Sequence, residues 1–268
     1  MIDSGRAWLR LAAAFWLMTI GAAGMWSVAV VLPAYQVEFG ISRSEATLPS
    51  TMTWIGFAIG QIVMGRLTDR FGIFRVVALA SFSFGAGFIV AGMAPNHWML
   101  GLAQAVMIGF LGSAAMFGPL IADTSQWFAR RRGLAVAIVA TGNYVGGAIW
   151  PPVMQHFIDA SGWRATYIGL GIFCFCATLP VAFALRARSP GQAAAGAAPI
   201  ATGSERPLGL APAHLQALLV IAGFSCCVAM AMPQVHIVAY CGDLGYGAAR
   251  GAEMLSLMLG FGIVSRLA

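Results

Sequence analysis

MGRLTDRFGIFR, Met64 to Arg75, places Arg66, Asp69, Arg70 and Arg75 within a dozen residues, directly after a stretch, 46–65, that carries no charge at all. Glycines stand at Gly65 and Gly72. Around this stretch the chain is strongly apolar, with a mean hydropathy of +0.83, 60% hydrophobic and 9% charged residues. Soluble domains carry roughly 25% charged residues, so the composition is that of an integral membrane protein. The quoted stretch is then a short polar loop between two membrane spans.

Runs free of Asp, Glu, Lys and Arg cover 11–37, 46–65, 76–122, 133–158, 165–185 and 207–242. A hydrocarbon core of ~30 Å takes about 20 apolar residues per helix. Most runs therefore give one span each. The 76–122 run is long enough for two, with Pro95-Asn96-His97 as the turn between them. Pro207 and Pro212 precede a span from about His214 to Tyr240, and a last apolar stretch runs from Met254 to Ala268. The expectation is an all-α membrane protein with seven complete helices and part of an eighth. Barrel strands, ~10 residues long with strict alternation, do not fit runs of this length. The first run, although preceded by Arg6 and Arg10, is too long for a secretory signal and is read as an uncleaved helix.

All fifteen basic residues are arginines. With the N-terminus inside, inner segments hold Arg6, Arg10, Arg66, Arg70, Arg75, Arg130, Arg131, Arg132, Arg186, Arg188 and Arg206, and outer loops hold only Arg43, Arg164 and Arg250. This bias predicts a multi-pass plasma (inner) membrane protein with a cytoplasmic N-terminus. The net charge of +6 serves topology and anionic headgroups, and nucleic acid is not called for. Cys174, Cys176, Cys226, Cys227 and Cys241 read as small apolar helix residues, and no metal or other cofactor is expected.

The segment 186–212, rich in Ala, Gly, Pro and Ser, reads as a cytoplasmic linker. It separates an N-terminal six-helix bundle, 1–185, from the start of a second bundle, 213–268. An offset of 205 residues aligns YQVEFG at 35–40 with YCGDLG at 240–245, so that Tyr35 meets Tyr240, Glu38 meets Asp243 and Gly40 meets Gly245. The end of helix one thus matches the end of helix seven. The same offset would bring the copy of Gly65 to a position just past Ala268, so the chain is expected to be a piece of a longer carrier.

Gly65-Arg66-Leu67-Thr68-Asp69-Arg70-Phe71-Gly72 resembles the loop signature of the major facilitator superfamily, G-x-L-x-D-R-x-G, at each specified position. The resemblance implies a twelve-helix fold of two six-helix repeats, here represented by one half, helix seven and part of helix eight. It also implies a cytoplasmic gate in which Gly65 admits a neighbouring helix, Gly72 turns the chain, and Asp69, with Arg70 and Arg75 nearby, meets a helix N-terminus or an arginine across the two halves. WFARRRGLAVAIVATGNYVGG, Trp127 to Gly147, is similar to a signature of the monocarboxylate-porter family, with Phe128, Arg130, Arg131, Leu134, Ala135 and Gly142 fitting and Ala137 departing. DSGRAW, Asp3 to Trp8, is similar to the same family's entry to helix one through Asp3, Gly5, Ala7 and Trp8, with Arg6 departing. In that family and the oxalate–formate carriers, an arginine in helix eight is linked to substrate binding, which implies that role for Arg266. This chain has no lysine, and Gly262 stands four residues before Arg266 where animal members carry aspartate.

An arginine deep in a membrane costs at least ~2.5–3.5 kcal/mol unless it faces water or an anion, and its fork suits a carboxylate. Arg266 is therefore the first candidate substrate residue. Gln61, Asn143, Tyr144, His236 and Tyr240 are polar residues within spans that could line a cavity with it, and His236 could couple protonation to anion binding. Gly142, Gly146 and Gly147, followed by Pro151-Pro152, give helix five a thin face for close packing. The expected function is a monomeric secondary transporter that moves a small organic anion, a mono- or dicarboxylate, by proton symport or anion exchange. Efflux of amphipathic drugs is the alternative in the same class, and a membrane sensor or assembly factor is the alternative outside it. No Ser-His-Asp set, HExxH or phosphate-binding loop marks an enzyme.

Overall fold

A computed structural model of the chain describes residues 4–186 and 211–267. Asp3 and nearly all of the segment read as a linker lie outside the described residues. The first span is two helices, α1 (Gly5–Gly21) and α2 (Ala23–Phe39), which meet at Ala22. A short α3 (Arg43–Ala46) precedes the second span, α4 (Leu48–Phe71), and the third is α5 (Ile73–Gly92). The fourth is composite: α6 (His97–Leu102), a π-helical run Ala103–Ser113, a turn, and α7 (Gly118–Trp127). The fifth and sixth spans form one continuous element, α8 (Arg132–Ala184), folded back at Gly162, where φ is 79° and ψ 160°. The seventh and eighth are α9 (Pro212–Asp243) and α10 (Gly247–Leu267). The described residues contain no strand.

Five of these segments are both long and apolar enough to cross a membrane: Gly5–Phe39, Ile73–Gly92, His97–Trp127, Arg132–Ala184 and Ala213–Asp243. The protein is accordingly all-α and multi-pass. In α4 the length is present, but Ser50, Thr51, Thr53 and Gln61 dilute its apolar character. The eighth helix departs from the expected start at Met254, since it begins at Gly247. Arg250 and Glu253 pair at 2.8 Å one turn apart on its exposed side, so the charged first turns stay helical. The expected loop over 159–164 is likewise replaced by a single-residue corner.

Helix association in lipid depends on close packing rather than on escape from water. The thin face foreseen on the fifth span does this work against α1. A Cβ at Gly142 would lie 2.8 Å from the Phe15 carbonyl oxygen, and one at Gly146 would strike the Thr19 carbonyl. Between the third and sixth spans, Phe84, Phe88, Tyr167 and Trp163 stack edge to face with centroids 5.1, 5.3 and 5.8 Å apart. Such contacts add about 0.5–1.5 kcal/mol each beyond buried area. The Gln104 Nε2 donates to the Tyr167 hydroxyl at 3.0 Å, so this glutamine ties the fourth span to the sixth.

Candidate transport site

Two places mark the centre of the bundle: the joint of α1 and α2 at Ala22, which itself stays helical with φ −63° and ψ −26°, and the turn by which helix four leaves its π run, where Phe117 has φ −120° and ψ −87°. Irregular backbone at membrane depth persists only where side chains or a cavity satisfy it. Here neighbouring side chains do so: the Ser113 Oγ donates to the Gly21 carbonyl at 3.0 Å, and the Gly118 N–H donates to the Gln61 Oε1 at 3.1 Å. Gln61 is thereby held with its Nε2 buried and without a partner, and the Asn143 Oδ1 is buried and unpartnered as well. Asn143 lines a cavity of about 10 Å³ with Met18, Gly21, Met25, Phe57, Met116 and Phe117. That is room for about one water, so in this conformation the bundle is closed around the Asn143 Oδ1.

Of the residues read as cavity-lining, Asn143 lines this small cavity, Gln61 caps the turn of helix four, and the others lie elsewhere. Tyr144 turns toward the eighth span, where a Cβ at Gly262 would strike its ring. His236 and Tyr240 are exposed, the latter by 58%. Among the described residues, the face of α9 that carries them packs on nothing that encloses it. The backbone of Arg266 is helical, and its side chain lies outside the described residues. The eighth span meets the first and fifth through Leu259, which packs with Trp26 and would lie 2.6 Å from a Cβ at Gly147. The Ser256 hydroxyl donates to the Ala148 carbonyl in the same seam.

Between the second and third spans, Gly72 has φ 84° and joins α4 to α5 without a linker, as the turn expected there requires. Asp69, Arg70 and Arg75 are exposed, and the Arg70 guanidinium lies 5.4 Å from the Phe71 ring centroid. The close helix approach expected at Gly65 is not made among the described residues, since a Cβ there would meet nothing within 4 Å. Gly5, Arg130 and Arg131 are also exposed.

Trp8 and Phe128, from two separate signatures, meet edge to face at 5.3 Å. Beside them lies a contact that the sequence reading missed. The Arg10 Nε and a terminal nitrogen donate to the two Asp123 oxygens at 2.9 and 3.1 Å, both side chains are 5% exposed, and the guanidinium sits 4.7 Å from the Trp127 ring. Arg10 was counted only toward orientation, and Asp123 only as the end of an uncharged run. Their opposite charges at the start of span one and near the end of span four were the available signal. At the opposite end of the bundle, Arg164 binds Glu38 at 2.8 Å and the carbonyls of Gly92 and Ala94 at 3.0 and 2.8 Å, while the Trp163 indole N–H donates to Glu38. One guanidinium thus fastens the ends of spans one, three and six.

Among the described residues no group of three or more His, Cys, Asp or Glu could hold a metal ion. The Major Facilitator Superfamily model matches residues 14–268. Human monocarboxylate transporter 11 is 28% identical over 169 residues, covering 63% of this chain and 36% of that protein. The fujikurins efflux protein of Gibberella fujikuroi is 33% identical over 137 residues, covering 49% and 29%. The chain spans 27–42% of the length of the curated relatives it matches. A crystal structure of a peptide transporter in complex with alafosfalin superimposes with a TM-score of 0.58 at 19% identity, over 88% of this chain and 49% of that one, and shows the fold. The chain belongs to the Major Facilitator Superfamily, a family of transporters rather than enzymes.

Proposed function

We propose that this chain forms part of a secondary active carrier for a small organic anion, a mono- or dicarboxylate, working by alternating access with proton symport or anion exchange. The observation that carries the proposal is the meeting of Trp8 and Phe128. These residues belong to the two stretches that resemble monocarboxylate porters, and monocarboxylate transporters are among the relatives. Bundle 1–185, linker 186–212 and the start of a second bundle, 213–268, are the parts that would rock against each other. The seam at Gly147 and Leu259 is where the first and second bundles touch. Gln61 and Asn143 would offer substrate the buried Nε2 and Oδ1 that lack partners here, and Arg266 would supply the positive charge for a carboxylate. The cytoplasmic loop with Asp69, Arg70 and Arg75 would close the inner side, with the N-terminus cytoplasmic.

The test is uptake of labelled lactate, pyruvate, oxalate and formate into proteoliposomes by the full-length protein and its Arg266→Lys variant, with and without an inward proton gradient. Saturable uptake that the variant loses is the expected result. Transport of none of these anions, or an unimpaired variant, would overturn the anion reading. A second reading, export of larger amphipathic molecules, is favoured by the cavity wall of Met18, Met25, Phe57, Met116 and Phe117. It predicts that apolar solutes compete for transport where formate does not.

A further inference from the structure

The indole N–H groups of the bundle differ in what they bind. That of Trp150 donates to the Thr19 carbonyl at 2.8 Å, and that of Trp163 donates to Glu38. Those of Trp26 and Trp127 are buried and have no partner among the described residues. Trp127 lies under the Arg10 guanidinium, wholly among the first spans. Trp26, one turn beyond the joint at Ala22 and only 6% exposed, instead faces the spans that follow the linker. Buried donors in native structures are nearly always paired, and one left without an acceptor costs free energy. Gly147 of the fifth span admits the indole, since a Cβ there would lie 2.8 Å from the Trp26 Nε1, and Leu259 of the eighth span lies against the same glycine. Val238 of the seventh span and Leu255 and Leu259 of the eighth pack about the ring, and none of these side chains offers an acceptor.

We infer that the Trp26 N–H is a substrate hydrogen-bond donor whose acceptor is a carboxylate oxygen of the transported anion. The inference rests on the reading of the chain as part of an anion carrier. The Nε1 is fully enclosed, so no acceptor reaches it while this contact is shut. Three successive points join the eighth span to the fifth: Ser256 donates to the Ala148 carbonyl, Leu259 lies on Gly147, and Gly262 lies on the Tyr144 ring. The two helices thus run antiparallel, and the indole sits at the middle point. A space opened from either end of the contact reaches it, as alternating access requires of a substrate residue, and withdrawal of Leu259 uncovers the N–H. Chemistry then selects the ligand. An indole N–H only donates, so it takes an acceptor and not a cation, and a charged acceptor is bound about twice as strongly as a neutral one. The donor is unpaired in the empty, shut form and paired in the loaded one, so substrate removes a cost that the empty protein bears.

Uptake kinetics of labelled lactate, pyruvate, oxalate and formate by the full-length protein in proteoliposomes test this. The parent is compared with Trp26→Phe, with Trp150→Phe, and with protein carrying at position 26 the benzothiophene analogue of tryptophan, which keeps the fused ring but has sulfur in place of the N–H. Both changes at Trp26 are expected to raise KM for the transported anion about tenfold, the worth of a hydrogen bond to a charged group, with the maximal rate retained. Trp150→Phe, whose N–H already serves Thr19, is expected to leave KM unchanged. The analogue preserves the shape of the seam should Trp26→Phe not fold. An unchanged KM in the analogue protein, a fall in maximal rate alone, or an equal rise in Trp150→Phe would overturn this inference and leave the anion reading standing. A parent that takes up none of the four anions would overturn both.

Discussion

The first and seventh spans are alike in hydropathy and opposite in surroundings. Their most apolar stretches average 1.8 and 2.1, yet 89% of the first is buried among neighbours and none of the seventh. Mean hydropathy records whether a helix can replace lipid, and it is blind to which helices stand beside it. What encloses the first span is close approach, by Gly142 and Gly146 of the fifth, whereas a Cβ at Gly223 of the seventh would meet nothing within 4 Å. Their outer ends nonetheless match: Gly40 follows α2 with φ 60°, and Gly245 follows α9 with φ 82°. The local chemistry of the repeat is kept although this chain gives the seventh span only α10 of its own bundle as a neighbour, where the first has five further spans.

The largest test of this contrast is Asp123→Ala. Leaving Arg10 buried without its partner should cost about 3–5 kcal/mol, read as a loss of thermal stability in detergent, while the double change Arg10→Met with Asp123→Leu should recover most of it. An Asp123→Ala protein as stable as the parent would mean that the first span is not held by this pair. Next, Gly146→Val overpacks a seam in direct contact with helix one and should destabilise by about 1–3 kcal/mol, whereas Gly223→Val should stay within about 0.5 kcal/mol. Similar effects at both sites would abolish the distinction between enclosed and exposed spans. Gly40→Ala and Gly245→Ala should each cost about 1–2 kcal/mol, because both positions have positive φ. Unequal costs would break the structural repeat at its best-matched point. The smallest effect is expected for Glu38→Gln, at most about 1 kcal/mol for a half-exposed ion pair, measured in the same melts.

The loop at Met64–Arg75 and the order of the spans could be read directly, because charge and hydropathy are local properties. The turn at Gly72 was legible for the same reason, since its glycine needs only its own backbone. The contact at Gly21 was not, for nothing in Gly21-Ala22-Ala23-Gly24 announces that the Ser113 hydroxyl of span four donates to the Gly21 carbonyl. Gln61, Asn143, His236 and Tyr240 are all legible as polar residues within spans, but which of them are enclosed is not, because polarity does not tell which side of a helix has neighbours: in this chain Asn143 lines a small cavity, and His236 and Tyr240 are exposed. Asp159 and Arg164 made 159–164 look like a loop, although a single left-handed glycine suffices to reverse the chain.

That glycine has a mechanical consequence. A corner one residue long has no slack, so the fifth and sixth spans behave as a hairpin spring whose arms pivot about Gly162 but cannot slide past each other. Arg164, two residues on, bolts this spring to the outer ends of the first and third spans. Tilt imposed on the fifth span where Leu259 presses Gly147 is therefore delivered to the whole outer rim, and stiffness, more than any single contact, sets how far that push travels.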